Sequence, residues 1–271
     1  MNPRTVTPSN LADWLIGQGR HFITSQEAAN LLNVQSRGVS ASLNRARQAH
    51  KVISVTKTGW VPVPPEYRDA GAPPPLHYIH PLMNHLGHPY YVGFLSAAAL
   101  HGAAHHPPMI LQVVTTARLR DRQIGGSHIS FIQRAATAQR ATQLTNTATG
   151  RVSISTSATT VLDLADSPER GGGISNVATV IGDLLISRLL DLDALPAAAS
   201  GFPTAAVQRA GYLLQLMAAE MGVEDSATAV LEELSQVVRS EWAPLAPGAD
   251  WVGERDDRWR VVLNTEVEHD L

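Results

Sequence analysis

Donor side chains recur at helical spacing between Arg37 and Lys51, and no carboxylate lies among them. At about 100° per residue, a helix here places Val39, Leu43 and Ala46 in one apolar stripe. The opposite side carries Arg37, Ser40, Asn44, Gln48 and Lys51, with Arg45 and Arg47 on its flanks. Such side chains donate to phosphates, and Arg, Asn and Gln pair with base edges. The pattern predicts a DNA-recognition helix; the alternative is a merely solvated basic face.

Two shorter helices must position this one. The apolar spacing in LADWLIG predicts a first helix that stops at Gly17. Thr24 and Glu27 form a T-x-x-E capping box for a second helix that ends near Asn33. Only a tight turn fits before Ser36, the predicted cap of the third helix. Two helices joined by so short a turn predict a helix-turn-helix.

Two short strands, ISV and WVPV, are predicted around the sequence TKTG that follows the third helix. Gly59 is expected to supply a positive φ for the turn. Because Pro62 lacks an amide proton, the second strand is expected to be an edge. Three helices and a hairpin predict a winged helix. The wing tip, which would meet a phosphate or the minor groove, carries Lys57 and Thr58.

A proline-rich segment follows, with six prolines between Pro62 and Pro75. Prolines at this density favour extended backbone, which predicts a semi-rigid linker or a covering strap at a domain boundary. We therefore expect a winged helix-turn-helix domain with its linker over residues 1–75. A larger domain is expected over residues 76–271.

Strand and helix patterns are mixed in the second region. Buried strands are predicted in MILQVVTTA and HISFIQR, and a strand leading into a helix in RVSISTSATTVLDLAD. Three amphipathic helices and a last strand in DRWRVVLN complete the chain. The predicted fold class is α+β, with an N-terminal winged helix-turn-helix followed by a larger mixed α/β C-terminal domain.

Charge is distributed unevenly along the chain. Residues 1–151 hold 14 Lys and Arg against 5 Asp and Glu, whereas residues 152–271 hold 7 against 19. The basic part predicts a polyanionic partner, and the acidic part a solubilising or protein-facing surface. The absence of cysteine excludes disulfides and thiolate chemistry. No apolar run is long enough for a membrane span or a signal core, so we expect a cytoplasmic protein.

Histidines at metal-ligand spacing raise the alternative of a metal site. The pairs are His77 and His80, His85 and His88, and His101 and His105. No acidic residue lies between Asp69 and Asp121 to act as a base or to orient ligands. His101 is expected to be a buried or helix-end histidine with a backbone partner. Nucleotide-binding, nucleophile-elbow and zincin motifs are absent, so we expect no enzyme, metal or cofactor.

Two further charged patterns are open to interpretation. Arg118, Arg120 and Arg122 alternate, so on a strand they would project from one face toward a phosphate backbone or an acidic partner. The alternative is an edge strand protected by its charge. Asp163 and Asp166 are expected to be surface carboxylates on one helix.

The order of these motifs resembles the AbiEi family of type IV antitoxins and transcriptional autorepressors. The resemblance is carried by TSQEAA, the basic third helix, a wing ending at Gly59 and Trp60, YYVGFLSAAALHG, VVTTARLR, RVSISTSATTVLDLAD and RWRVVLN. It covers roughly residues 20–165 and the last helices and strand. The segments SAAALHG and STSATT are its clearest marks.

The resemblance implies a DNA-binding antitoxin that represses its own operon at inverted repeats. Its partners would be double-stranded promoter DNA, with two copies on a palindrome, and a nucleotidyltransferase-like toxin opposed by the C-terminal domain. Two other classes stay open at this point. One is a metal-dependent enzyme delivered by the winged helix, with His85, His88, His101 and His105 as ligands. The other is a protein-interaction module that does not bind DNA.

Overall fold

The computed structural model describes residues 6–103 and 109–268. The chain divides into two compact units, each built from separate segments. The first consists of Met1–Tyr90, Met109–Arg134 and Leu144–Ser153, and the second of Tyr91–Pro108, Ala135–Gln143 and Ile154–Leu271. This is not the division at residue 75 that the proline-rich segment suggests. Whether residues 1–75 fold independently stays a prediction.

The described residues contain runs of strands and runs of helices, which confirms the predicted α+β fold class. The α-helices are α1 (Leu11–Gly17), α2 (Ser25–Leu32), α3 (Ser36–Gln48), α4 (Ile79–Leu86), α5 (Phe94–Leu100), α6 (Ser157–Asp166), α7 (Ile174–Ile186), α8 (Leu195–Ala199), α9 (Thr204–Glu220) and α10 (Glu224–Ser235).

The strands form three sheets. They are β1 (Ile23–Thr24), β2 (Val52–Ser54), β3 (Gly59–Pro62), β4 (Tyr90–Val92), β5 (Ile110–Thr115), β6 (Arg122–Ile124), β7 (Ser127–Gln133), β8 (Thr142–Thr147), β9 (Gly150–Ser155), β10 (Ala243–Pro244), β11 (Glu254–Asp256) and β12 (Val261–Leu263). The strand orders are β1-β3-β2, β6-β7-β5-β4-β9-β8 and β10-β12-β11.

The N-terminal elements run α1-β1-α2-α3-β2-β3, the order of a winged helix-turn-helix. Strand β3 pairs antiparallel with β2 and also with β1, a strand that the sequence analysis missed. The predicted capping box is confirmed: the Thr24 hydroxyl accepts from the Glu27 amide at 3.1 Å, and the Thr24 amide donates to the Glu27 carboxylate at 2.8 Å. Asn33, whose φ of 51° is left-handed, caps the C-terminal end of α2.

Two expectations about the hairpin are wrong. Strand β3 is central rather than an edge, because β1 pairs only with Gly59 and Trp60 and stops before Pro62. The missing amide proton of Pro62 therefore leaves no ladder bond unmade. Gly59 does not have a positive φ. A glycine is needed there because a Cβ would lie 2.7 Å from the Phe22 ring and from the Thr56 hydroxyl.

The proline-rich segment packs as a strap against the β6–β7 hairpin. The Gly126 amide donates to the Ala70 carbonyl at 2.8 Å, and the Ser127 hydroxyl donates to the Pro73 carbonyl. Gly125 and Gly126 form the turn between β6 and β7, where Ile124 pairs with Ser127. Of the two interpretations of this segment, linker or strap, the contacts favour the strap.

In the second unit, helix α9 is the central packing element. It packs against α6, α7 and α10 and buries Leu213, Leu214 and Met217 completely. Gly211 lets the Trp259 ring approach the α9 backbone, since a Cβ at this position would lie 2.0 Å from the Trp259 Cζ3 atom. The indole Nε1 then donates to the Gln215 side chain at 3.0 Å.

The two segments that mark the family resemblance meet in this unit. His101, at the C-terminal end of α5, donates its Nε2 proton to the Ser155 carbonyl at 2.8 Å, which confirms the expected backbone partner. Thr156 caps α6, and the Ser155 and Thr160 hydroxyls lie 2.7 Å apart. Burial lowers the pKa of His101, and the bond to Ser155 opposes that shift in part.

The close approach at Gly211 predicts a large effect of one methyl group. In Gly211→Ala the Cβ would overlap the Trp259 ring, so we expect the free energy of unfolding to fall by about 2 kcal/mol. Urea denaturation followed by tryptophan fluorescence measures it. Gly17→Ala is the matched control, because no atom lies within 4 Å of the added Cβ. Equal midpoints for Gly211→Ala and the wild type would contradict the packing.

The lowered pKa of His101 predicts acid sensitivity. Because the unfolded chain binds the imidazole proton more readily, this histidine contributes stability above pH 6.5, and the contribution is lost as the pH falls below that value. In His101→Gln, which keeps an amide donor for Ser155, we expect the free energy of unfolding to fall less steeply as the pH is lowered. The slope should differ from that of the wild type by up to about 1.4 kcal/mol per pH unit. Denaturation midpoints between pH 7.5 and 5 test this, with exposed His88→Gln as control. Parallel curves for wild type and His101→Gln would contradict the prediction.

Candidate nucleic-acid interface

Helix α3 has one buried and one exposed side. Val39, Leu43 and Ala46 are buried in a core that α1, α2, β1, β2 and β3 complete, as the angular spacing predicts. The exposed side chains of α3 include Ser40, Asn44, Arg45, Arg47 and Gln48. Arg37 lies within α3, but its side chain is outside the described part of the structure. The burial of the apolar stripe leaves a row of hydrogen-bond donors facing outward.

The bounds of α3 differ from the expected ones at both ends. Gln35 rather than Ser36 precedes the first turn, and the helix ends at Gln48. Lys51 therefore does not belong to the exposed row, and His50, with a φ of 53°, separates it from the helix. The Lys51 ammonium donates to the Ser9 carbonyl at 2.8 Å, which draws this charge toward the start of α1.

A cleft of about 240 Å³ lies where α3 approaches the segment before α1. Its lining includes Ser9, Ser42, Arg45 and Lys51. The Lys51 ammonium is also 3.8 Å from the Asp13 carboxylate, a pair exposed enough to be well screened. Arg45 and Lys51 therefore both remain in contact with solvent, and Lys51 is also held by its bond to Ser9.

The wing presents a single lysine. Lys57 lies in the exposed turn between β2 and β3, at the predicted tip. The next residue, Thr58, is exposed too, but its hydroxyl lies 3.1 Å from His85 Nε2. The Thr58 carbonyl accepts from the Ser25 amide at 2.8 Å. The tip therefore combines a free-standing cation with a threonine that bonds within the protein.

The three alternating arginines do not form a comb on one face. Strand β6 begins only at Arg122, and residues 118–121 form a loop, so strand alternation does not apply to Arg118 and Arg120. Asp121 fixes this loop by accepting from the Phe131 amide at 2.8 Å. Arg118 and Arg120 are exposed, whereas Arg122 is half-buried and donates to the Val55 carbonyl.

The histidines do not assemble into a metal centre among residues 6–103 and 109–268. His80 is engaged on both ring nitrogens, by the Tyr90 hydroxyl and the Asn84 amide, each at 3.0 Å. Burial raises the pKa of Tyr90 to about 12, so its hydroxyl stays protonated. Burial lowers the pKa of His77, whose ring packs edge-on against Tyr67. His105 lies outside the described residues, and its pairing with His101 stays untested.

Asp163 is not a surface carboxylate, contrary to the expectation. It is 2% exposed and accepts from the Tyr91 hydroxyl at 3.2 Å. Arg209 was not among the predicted site residues; it is a buried cation on α9 that donates to the carbonyls of Ala165 and Pro244. Burial lowers the pKa of Arg209, opposed by the nearby Asp166. Its position inside an apolar helix pattern was the only available signal, and these carbonyl bonds indicate a structural role.

No helix within the described residues has the length and apolarity needed to cross a bilayer. Exposed hydrogen-bond donors lie on the outer side of α3 and at the wing tip. Of the predicted contacts, five on α3 and Lys57 are exposed there, while Lys51, Thr58 and Arg122 make hydrogen bonds within the protein.

Comparison with known proteins bears on the second unit most directly. Residues 91–216 match the model of the AbiEi antitoxin C-terminal domain. The chain is also similar to the crystal structure of the RV2827C protein from Mycobacterium tuberculosis, at 18% identity and a TM-score of 0.67, over 94% of this chain and 90% of that chain. The similarity to the RV2827C protein is a similarity of fold. No curated protein matches the chain. The match over residues 91–216 confirms the predicted resemblance to the AbiEi family.

Proposed function

We propose that the chain is an antitoxin that binds its own promoter through the N-terminal winged helix and thereby represses its operon. The observation that carries this proposal is the exposed side of α3, which presents donors and no carboxylate while its other side fills the core. A helix of this kind fits the major groove, where Asn and Gln pair with adenine and Arg with guanine. The matched family supports the antitoxin role but does not extend to α3.

The predicted DNA contacts form two sets, side chains that would reach base edges and side chains that would bind phosphates. Asn44 and Gln48 lie centrally on the exposed side and would read base edges together with Arg37 and Ser40. Cations around them would neutralise phosphates and fix the register of the helix. These cations are Arg45, Arg47 and Lys57, with Lys51 held on Ser9 beside them and Arg118 and Arg120 as secondary contacts.

The second unit would oppose the toxin. Its partner is proposed to be a nucleotidyltransferase-like toxin, as the family resemblance implies, and the chain itself would not be an enzyme. Residues 152–271 carry an excess of acidic side chains, which suits contact with a basic protein better than contact with DNA. One winged helix reads one half-site, so two copies would occupy an inverted repeat.

The central experiment is a fluorescence-anisotropy titration of the full chain with its own upstream DNA, repeated with scrambled DNA over a series of salt concentrations. We expect tight binding to the upstream sequence and a steep decline of log K with log salt. Equal affinity for both DNAs, or none for either, would contradict the proposal. Growth rescue by co-expression with the product of the neighbouring gene tests the antitoxin part separately.

Lys57→Ala should weaken binding to every sequence alike. Because one phosphate contact is lost, the slope of log K against log salt should flatten by about one unit. The matched control is Arg239→Ala, which removes an exposed cation that is not a predicted DNA contact. A changed sequence preference with an unchanged slope would show that Lys57 is not a phosphate contact.

Asn44→Ala should relax specificity rather than general affinity. We expect a loss of about 1–3 kcal/mol of discrimination at one base pair, because a bidentate contact to a base edge disappears. Competition titrations with single-base-pair variants of the upstream site measure this loss, and Asn84→Ala, a change on α4, serves as control. Uniform weakening on all DNAs would place Asn44 against the backbone instead.

A further inference from the structure

The wing loop, residues 55–58, is fixed by side chains that follow the strap in sequence. Arg122 on β6 donates to the Val55 carbonyl, at the start of the loop. His85 on α4 bonds to the Thr58 hydroxyl at 3.1 Å, at the end of the loop. The His85 ring in turn packs on Phe22, with 5.3 Å between ring centroids. Both ends of the loop are therefore tied to elements other than its own hairpin.

We propose that His85 and Arg122 are positioning residues for DNA binding, which hold the wing loop so that Lys57 meets a phosphate from a fixed backbone. This inference rests on the proposed function. We call the two residues the wing brace. They touch the loop that carries the cation and leave the Lys57 side chain itself exposed.

The hairpin bonds to this loop come from neighbouring residues, and the Ser54 hydroxyl donates to the Thr56 carbonyl at 2.8 Å. The Val55 and Thr56 amides both donate to the Gly59 carbonyl, at 3.0 and 3.3 Å, and the Thr58 amide donates to the Thr56 hydroxyl at 3.2 Å. The tip of this loop, Lys57 and Thr58, is exposed, and ordering an exposed tip on DNA costs binding free energy. Hydrogen bonds that already order the loop in the free protein reduce this cost of ordering.

The surroundings of Arg122 suit this role better than direct DNA contact. The side chain is half-buried, and its Nε atom is buried with no hydrogen-bond partner among the described residues. Burial lowers the pKa of this guanidinium, opposed by the nearby Tyr78. Placing a cation there is unfavourable unless the bond to the Val55 carbonyl compensates, whereas a phosphate contact needs an exposed guanidinium.

The composition of the chain offers a direct probe of the loop. Lys51 and Lys57 are its only two lysines, so cleavage by a lysine-specific protease after Lys57 reports on the wing. We expect His85→Ala and Arg122→Met each to raise the cleavage rate after Lys57 about fivefold, the factor that one lost hydrogen bond allows. His85→Gln, which can still bond to Thr58, should restore a rate near that of the wild type.

His88→Ala is the matched control, since His88 is an exposed histidine just beyond α4. Its cleavage rate should equal that of the wild type, and circular dichroism should show equal folded signals for all variants. Unchanged cleavage after Lys57 in both His85→Ala and Arg122→Met would overturn the brace. This measurement does not use DNA, so it stands apart from the proposed function.

A double-mutant cycle on upstream DNA then tests positioning. If the brace acts through Lys57, His85→Ala flattens the salt slope by up to the 0.9 unit of one phosphate contact, and Lys57→Ala with His85→Ala loses no more than Lys57→Ala alone. A normal slope in His85→Ala, or additive losses in the double variant, would overturn the positioning role. Failure of the wild type to bind DNA would overturn the proposed function and the role together, and the protease rates would then describe the wing only.

Discussion

The burial of one stripe of α3 is the constraint on which the proposed interface depends. A helix can rotate about its axis at little cost until some of its side chains are buried, and here Val39, Leu43 and Ala46 fix that rotation. Turning α3 by a third of a revolution would expose these three residues and bury charged ones, which costs several kcal/mol. The outward direction of Asn44 and Gln48 therefore follows from hydrophobic packing and needs no contact of its own.

The wing shows how the N-terminal elements depend on the rest of the first unit. Its loop is held by His85 and Arg122, and the strap before α4 is bonded to the β6–β7 turn. These bonds explain why residues 109–134 belong to the same compact unit as α1–α3 and the β2–β3 hairpin although they are distant in sequence. A boundary drawn at residue 75 separates the wing from the side chains that contact it.

Local signals in the sequence predicted local structure well. The capping box at Thr24 and the short turn between α2 and α3 each involve residues within a few positions of one another, so spacing alone is informative. Strand β1 was missed because two residues are too few to show alternation. The partners of Lys51, Asp163 and Arg122 lie far away in sequence, and no local pattern encodes such pairings.

Charged residues can likewise be counted from the sequence, whereas their partners cannot be predicted from it. The excess of basic residues in 1–151 pointed to a polyanion, but only the structure separates the cations that face solvent from those that are engaged. Fields of exposed charges decay over about 8 Å at physiological salt, so residues that lie further from a phosphate contribute little to its binding. Under the proposed function, the affinity for DNA should therefore be set by the few cations beside α3 and the wing. In the proposed division of roles, the acidic side chains of residues 152–271 are left to serve another partner.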